Sequence, residues 1–262
     1  MQIADHAFVV TGASSGLGRE IARVLADAGA RVALVARRAD RLAELAEQIG
    51  PTAVAIPADV TTAEAPDLVY TRTIDAFGRV DGLVNAAGRG MAADVLAMDL
   101  DTLDESFELN FVAPVRLIQR IVPALVEQGE GVVVNVSSPT SQMGLPGIAG
   151  YAAAKAALNA LTVALRRELL GTGVHVMLVF PGVMKTEYYE KIMGADTSAE
   201  EPPPARDPAE VARAVVAGIV ANRREVWSLS GRERRGLATM RFLGRFAPGT
   251  LDRGLGRANR AE

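Results

Sequence analysis

The chain has 262 residues, a length that suits one large α/β domain. Hydrophobic residues make up 49% and charged residues 23%, the balance of a globular protein with a sizeable core rather than of a disordered chain. The formal net charge of -3 gives no global positive field that would attract nucleic acid, and the absence of cysteine excludes disulfides, thiolate nucleophiles and Cys-ligated zinc.

Short apolar runs alternate with longer segments of helical period along most of the chain. This alternation is typical of repeated βα units. It predicts a Rossmann-type α/β fold, a doubly wound parallel sheet of about seven strands with helices on both faces, in three α/β/α layers. The predicted strands cover residues 7–11, 31–36, 53–57, 82–85, 131–137, 175–180 and 225–228. The predicted helices cover residues 16–28, 40–49, 63–77, 103–126, 150–170 and 208–221.

The first βα turn places three glycines between a buried strand and a helix start. Glycine lets the backbone turn tightly and approach a pyrophosphate, and the free N–H groups and dipole of the helix favour an anion. The pattern predicts a phosphate-binding turn, and a tight turn without function is the alternative. The predicted binding residues are Gly12, Ser14, Ser15, Gly16, Leu17 and Gly18.

The end of the second strand predicts which nicotinamide cofactor binds. An acidic residue there would bind a ribose 2′-hydroxyl, whereas a cation accommodates a 2′-phosphate. Here Ala36 is followed by Arg37 and Arg38. The Arg37 guanidinium has the geometry to bind phosphate bidentately, and the Ser14 hydroxyl could contact the same phosphate. The sequence therefore favours NADP(H) over NAD(H), the alternative being solvated arginines at a helix start.

Tyr151 and Lys155 are four residues apart in a predicted helix, so their side chains share one face. An isolated phenol has a pKa of about 10, and an adjacent ammonium lowers that pKa by stabilising the phenolate. Tyr151 then fits general acid/base catalysis. A Tyr/Lys pair on a helix surface with no catalytic role is the alternative reading.

Four segments together resemble the short-chain dehydrogenase/reductases. They are the TGxxxGxG turn at 11–18, Asn85-Ala86-Ala87-Gly88, the YxxxK pair Tyr151 and Lys155, and Pro181-Gly182 with Thr186. They follow the family's order and spacing over residues 7 to about 190. The resemblance implies an NADP(H)-dependent oxidoreductase that moves a hydride between the nicotinamide and a carbonyl or secondary alcohol (CH–OH/C=O).

The resemblance also implies catalytic roles. Ser138, thirteen residues before Tyr151, would hold the substrate oxygen, and Ser137 would point to the other face of the strand end. Lys155 would hydrogen-bond the nicotinamide ribose as well as tune Tyr151. Asn110 interrupts the long predicted helix and would hold a water that connects Lys155 to solvent, or else it is a polar kink that satisfies its own backbone.

The remaining cofactor contacts follow from the same resemblance. Asp59 and Val60 would bind the adenine, although Asp59 could equally be a helix-start aspartate. Residues Asn85, Ala86, Ala87 and Gly88 would stabilise the central sheet and line the ribose. Residues Pro181, Gly182, Val183 and Thr186 would pack against the nicotinamide, with Thr186 bound to its carboxamide.

Two later segments have more than one interpretation. Residues 184–206 are polar and contain three consecutive prolines, which indicates a substrate lid or a surface connection without function. Residues 231–262 mix eight arginines and three acidic residues with apolar side chains. This tail could contact an anionic membrane surface, cover the substrate cleft or a subunit interface, or be partly disordered. Residues 1–230 are then one catalytic domain.

The expected partner is a small carbonyl or alcohol substrate, hydrophobic because the predicted cleft residues 144–148, Val183, Tyr188 and Tyr189 are largely apolar. A homodimer or homotetramer is implied by the resemblance, and no nucleic acid or metal is expected. The chain lacks a basic start followed by a long apolar run, so we expect a cytoplasmic protein that does not span a membrane. The alternatives are an NADP(H)-binding sensor without turnover, which would be expected to lose Tyr151 or Lys155, and an epimerase or dehydratase, which would need a longer C-terminal part.

Overall fold

The computed structural model describes residues 1–185, 187, 192–194 and 205–252. Seven parallel strands form one sheet in the order β3-β2-β1-β4-β5-β6-β7. The strands are β1 (Ala7–Thr11), β2 (Arg31–Ala36), β3 (Ala53–Pro57), β4 (Gly82–Asn85), β5 (Gly131–Val136), β6 (Val174–Pro181) and β7 (Glu225–Ser228). The strand order reverses between β1 and β4, and the carboxyl ends of these two strands therefore open a crevice.

Helices connect the strands. They are α1 (Gly16–Asp27), α2 (Ala39–Ile49), α3 (Ala65–Phe77), α4 (Leu100–Phe107), α5 (Ala113–Gln128), α6 (Ala149–Glu168), α7 (Pro208–Val220) and α8 (Gly231–Phe246). A π-helical turn, Glu108–Val112, joins α4 to α5, and short 3-10 turns occur at Val95–Ala97 and Pro139–Gln142.

Two apolar clusters lie on opposite faces of the sheet. Along β1, Phe8 and Val10 belong to the cluster that includes side chains of α1, α2 and α7. Val9 belongs to the other cluster, with side chains of α3 and α5 such as Val69 and Leu117. Successive strand residues point to opposite faces, so a continuous apolar run fills both clusters. The predicted three-layer, Rossmann-type fold is confirmed.

The sequence predicted one continuous helix over residues 103–126, and this prediction is wrong. The helix begins at Leu100 and is interrupted by the π turn Glu108–Val112. Within that turn, Asn110 Nδ2 donates to the Ser106 carbonyl at 2.9 Å. A side-chain amide that bonds the carbonyl four residues back competes with the backbone ladder, and π turns often mark functional sites.

The same stretch, Leu100–Gln128, is long and apolar enough to cross a membrane by length and composition, with a mean hydropathy of 1.4. Core helices of globular proteins pass the same test. Here Leu117, Ile121 and Leu125 of α5 are buried against the sheet. The stretch is therefore weak evidence for a membrane span.

Candidate active site

A cleft of about 1050 Å³ lies at the carboxyl edge of the sheet. Its walls come from the loops that follow β1 to β6, and from α6 and α8. Most of the predicted cofactor and catalytic residues line this one cavity. Because the chain separates them by up to about 170 residues in sequence, the parallel sheet is what brings them together.

The glycine turn after β1 is packed too closely for side chains. Gly12 has φ +71°, and a Cβ on Gly12 would lie 2.9 Å from the Ala87 nitrogen. A Cβ on Gly18 would lie 2.5 Å from the Gly12 carbonyl oxygen. The N-cap residue of α1, Ser15, makes no side-chain cap, so the first N–H groups of α1 are left for an anion. The turn fits the pyrophosphate of a dinucleotide.

The segment after β4 is fixed from two sides. The Thr11 hydroxyl accepts hydrogen bonds from the Ala86 and Ala87 nitrogens, both at 3.0 Å. The Asn85 side chain turns away from the cleft and donates to Asn135 Oδ1 at 2.9 Å. Asn135 in turn donates to Thr162 at 2.9 Å. Asn85 thus ties β4 to β5 and α6, while Ala86, Ala87 and Gly88 line the cleft.

The two arginines after β2 are placed differently. Arg38 donates to Ser14 Oγ at 3.0 Å and to Ser15 Oγ at 2.7 Å. The Arg37 side chain is 69% exposed and lies 3.7 Å from an Asp59 carboxylate oxygen. Both line the cleft, but it is Arg38 that reaches the serines of the phosphate-binding turn.

Asp59 lies beside Val60 on the cleft wall. Its carboxylate accepts hydrogen bonds from the Thr61 nitrogen at 3.1 Å and the Thr61 hydroxyl at 2.7 Å. Partial burial acts to raise the pKa of Asp59, but the Thr61 hydrogen bonds and the charge of Arg37 outweigh it and leave the pKa below its ordinary value. Asp59 is therefore an ionised hydrogen-bond acceptor at the rim of the cleft.

Tyr151 and Lys155 of α6 are both buried and both line the cleft. The Lys155 Nζ lies 5.9 Å from the centre of the Tyr151 ring and donates to the Val136 carbonyl at 2.9 Å. Burial lowers the pKa of Lys155 to about 8. Because that pKa remains above neutrality, the ammonium is the major form at pH 7 and sits next to the phenol.

The two serines at the end of β5 have different partners. Ser137 donates to Asn159 Oδ1 of α6 and is fixed in the structure. The Ser138 hydroxyl lies 2.8 Å from Thr140 Oγ1 and also accepts from the Thr140 nitrogen at 3.3 Å. Ser138 caps the short turn Pro139–Gln142 and lines the cleft on the side of Tyr151.

Asn110 is fully buried in the π turn. Its Nδ2 donates to the carbonyls of Ser106 and Arg89, whereas its Oδ1 accepts nothing from the residues that the structure describes. A Cβ on Gly88 would lie 2.9 Å from Asn110 Oδ1 and 3.3 Å from Lys155 Nζ. Both polar atoms therefore flank the same glycine, and this fits a water held between them.

The turn after β6 carries Pro181, Gly182 and Val183, which all line the cleft. Thr186, predicted to bind the carboxamide, lies outside the described residues, as do Tyr188 and Tyr189. Part of the predicted lid does lie on the cleft: Met193 exchanges backbone hydrogen bonds with Gly90 and Ala92, both at 2.8 Å.

Sequence reasoning left open the role of the tail, and the structure places α8 on the cleft. Glu233 accepts from the Val183 nitrogen at 2.9 Å and from the Ser230 nitrogen at 2.6 Å, while Ser230 accepts from the Glu233 nitrogen. Leu237 and Met240 then face the cavity. The capping-box pattern at 230–233 was the signal that could have predicted a helix beginning there.

A separate group of titratable residues lies at the opposite, amino edge of the sheet. His6, Asp81 and Glu130 offer ligand atoms within 4.8 Å of one another. However, Arg79 donates to both oxygens of Asp81 and lies 3.4 Å from Glu130. The guanidinium already neutralises these carboxylates, so we describe the group as an ion-pair network.

The doubly wound sheet and the glycine-lined cleft at its switch point define a protein of the Rossmann-type, dinucleotide-binding class. The chain's residues 6–196 match the model of the short chain dehydrogenase family. The chain therefore belongs to the short-chain dehydrogenase/reductase family of oxidoreductases.

Individual relatives agree with this assignment. An uncharacterised oxidoreductase of Staphylococcus epidermidis is 34% identical over 189 residues, which cover 72% of this chain and 82% of the relative. A short chain dehydrogenase from Burkholderia cenocepacia, solved in complex with NADP, is 28% identical with a TM-score of 0.79 and coverage of 97% and 99%. The 3-ketoacyl-(acyl-carrier-protein) reductase of Brucella melitensis, solved with NADH, is 25% identical with a TM-score of 0.79 and coverage of 87% and 98%. Both nicotinamide cofactors thus occur among proteins similar to this chain.

Proposed function

We propose that this chain is an NADP(H)-dependent oxidoreductase that interconverts a carbonyl and a secondary alcohol of a hydrophobic substrate. The observation that carries the proposal is the grouping of Ser138, Tyr151 and Lys155. All three are buried and line one cleft together with the phosphate-binding turn. A hydroxyl, a phenol and an ammonium gathered beside a dinucleotide site are the groups that carbonyl reduction requires.

When bound, the nicotinamide would supply the hydride in reduction and accept it in oxidation. The Ser138 hydroxyl donates a hydrogen bond to the substrate oxygen and stabilises the negative charge that develops there. Tyr151 gives its phenolic proton to that oxygen, and in the reverse direction the phenolate takes the proton back. Lys155, as the ammonium, is proposed to stabilise the phenolate form of Tyr151 through its charge. Asn110 is proposed to hold the water through which the proton of Lys155 is exchanged with solvent.

The preference for NADP(H) is supported by the cations at the end of β2. Ser14, Ser15 and Arg38 form a hydrogen-bonded group there, and Arg37 adds a second guanidinium at the rim. No carboxylate follows β2 at residues 37 and 38 to repel a 2′-phosphate. We therefore propose that Arg38 is the principal phosphate contact and that Arg37 assists it.

A hydrophobic substrate is supported by the apolar side chains that line the cleft. They include Met91, Met143, Ile148, Leu237 and Met240. Unbranched thioether side chains adapt to irregular apolar ligands. The homodimer or homotetramer and the cytoplasmic location stay predictions from the sequence.

The test is turnover of NADPH, followed by its absorbance, against a panel of hydrophobic ketones and aldehydes. We expect Tyr151→Phe to lower kcat by at least about 100-fold, the usual contribution of a general acid, and to leave the Kd of NADPH within about twofold. Tyr70→Phe is the matched control, because Tyr70 of α3 stacks under Arg120 of α5 and does not line the cleft. Retention of most turnover in Tyr151→Phe would show that the acid is another group, and binding of NADPH without turnover across the panel would favour the sensor alternative.

A further inference from the structure

A carboxylate from the segment after β6 lies between two guanidiniums of the β2–α2 region. One Glu187 oxygen accepts from Arg38 Nη1 at 3.0 Å. The other accepts from Arg41 Nη1 in a short ion pair. All three side chains are about two thirds buried. Glu187 is therefore held from both sides by cations that α2 and its N-cap supply.

The same Arg38 guanidinium also donates to the Ser14 and Ser15 hydroxyls of the phosphate-binding turn. The Glu187 carboxylate and the two serines thus share one cation. Glu187 lines the main cleft and also a side cavity of about 430 Å³ whose walls include Arg19, Arg41 and Lys185. Glu20 lies on the same wall, so the three cations of the side cavity outnumber its acidic residues other than Glu187, and this excess favours an anion.

A carboxylate and a phosphate monoester present the same recognition chemistry to a guanidinium, since both accept paired, charge-assisted N–H hydrogen bonds. Two guanidiniums suit the two charges of a phosphate better than the single charge of a carboxylate. The carboxylate and a phosphate dianion would also repel each other if both stayed on Arg38. Occupation by one therefore excludes occupation by the other.

We propose that Glu187 holds the 2′-phosphate site in the cofactor-free chain, and that the 2′-phosphate of NADP(H) displaces it from Arg38 and Arg41. This inference rests on the proposed preference for NADP(H) and adds two specificity-determining residues to it. Arg41 becomes a second phosphate-binding cation once Glu187 leaves. Glu187 acts as an internal competitor, which weakens binding of every ligand with a 2′-phosphate and has no effect on ligands without one.

The test uses two probes that carry no nicotinamide, 2′,5′-ADP and 5′-ADP, titrated calorimetrically against the full chain. We expect Glu187→Gln to tighten binding of 2′,5′-ADP by about three- to tenfold, because the competing charge is removed, and to leave 5′-ADP within about twofold. Arg41→Met, combined with Glu187→Gln, is expected to weaken 2′,5′-ADP by about tenfold relative to Glu187→Gln alone. Glu210→Gln is the matched control, because Glu210 pairs with Arg206 and does not line the cleft.

The possible results separate this inference from the proposed function. If the unaltered chain binds 2′,5′-ADP more tightly than 5′-ADP but Glu187→Gln leaves that affinity unchanged or weaker, the role of Glu187 is wrong while the preference for NADP(H) stands. If the unaltered chain and the Glu187→Gln chain both bind the two probes equally, the preference and the role of Glu187 both fail. The Tyr151→Phe assay of turnover is independent of either result.

Discussion

Lys155 shows how a single residue can serve chemistry at the expense of stability. It is an ammonium buried in α6 whose only described hydrogen-bond acceptor is the Val136 carbonyl. Burial of a charge with one neutral partner costs free energy, and this cost is what lowers the pKa of Lys155 to about 8. We regard this cost in stability as a consequence of placing a cation beside the Tyr151 phenol.

The first prediction follows from this cost. In the unfolded chain Lys155 keeps its proton up to a pH of about 10.5, whereas the folded chain releases it near 8. The lowered pKa therefore destabilises the fold fully below pH 8, and the penalty disappears as the pH rises towards 10.5. We expect Lys155→Met to raise the free energy of unfolding at pH 7 by about 1 to 3 kcal/mol and to raise it much less at pH 10.

Urea unfolding of both chains without cofactor, at pH 7 and pH 10, measures this difference. Groups other than Lys155 titrate in both chains and largely cancel. A Lys155→Met chain that is equally destabilised at both pH values would contradict the prediction, since it would show that the hydrogen bond to Val136 outweighs the burial of charge.

The second prediction, also at the scale of the residue, compares the contributions of Arg37 and Arg38 to the binding of NADPH. Arg38 is bound to Ser14 and Ser15, whereas the Arg37 side chain is mostly exposed, and exposed ion pairs contribute little. We expect Arg38→Ala to raise the Kd of NADPH by about tenfold or more and Arg37→Ala to raise it by about two- to threefold. Fluorescence titration with NADPH and NADH measures both, and a larger effect from Arg37→Ala would restore the interpretation based on sequence alone.

At the scale of elements, the strands owe their alignment to polar groups at their ends as well as to apolar packing. Asp81 is fully buried just before β4, where it accepts from the Ala7 nitrogen at 2.7 Å and from Arg79. It thereby joins the start of β1 to the start of β4. These are the two strands that border the cofactor crevice at their other ends.

The third prediction compares this buried aspartate with an exposed one. Asp81→Ala leaves the buried Ala7 N–H without its acceptor, so we expect a loss of about 2 to 4 kcal/mol in the free energy of unfolding. Asp67 pairs with Arg120 but is 78% exposed, so Asp67→Ala should cost no more than about 1 kcal/mol. Chemical denaturation measures both, and equal losses would show that Asp81 does not align the strands.

The helical region Leu100–Gln128 shows that a sequence pattern can predict a helix without predicting the form of its interruption. Its apolar period correctly predicted a helix that packs on the sheet, and Asn110 was recognised as an interruption. The form of the interruption, a π turn from Glu108–Val112, depends on the hydrogen bonds of Asn110 to Ser106 and Arg89. Arg89 comes from the loop after β4, and a contact with another element has no signature in the local period.

At the scale of the whole molecule, the sheet and its two apolar clusters are complete without the tail. Leu237 is buried, but the two clusters that face the sheet contain no residue of α8. Helix α8 is joined to the rest by the hydrogen bond from the Val183 nitrogen to Glu233 and by hydrogen bonds from Arg234 to the carbonyls of Trp227 and Leu229. Its contribution is therefore to the substrate side of the cleft.

The fourth prediction tests whether α8 contributes to the substrate side of the cleft and not to the core. A chain that ends at Ser230 is expected to fold cooperatively and to bind NADPH within about threefold of the full chain, because the core and the phosphate-binding turn are intact. The KM for hydrophobic substrates should rise, since Leu237 and Met240 no longer shield the apolar end. Leu237→Ser in the full chain should raise KM in the same direction. A truncated chain that does not fold would show that α8 belongs to the core of the domain.

The sequence alone determined the fold and most of the cleft. Alternating apolar runs and helical periods depend on near neighbours, so they predicted the strands of the parallel sheet, and the motifs placed Tyr151, Lys155 and the glycine turn at strand ends or on the helix beside them. Only the tertiary structure decided which arginine reaches Ser14, that Glu187 lies between Arg38 and Arg41, and that α8 covers the cleft through Glu233. These contacts join residues up to about 150 positions apart. The direction of a flexible charged side chain depends on the charges around it in the folded chain, and no local sequence pattern encodes those charges.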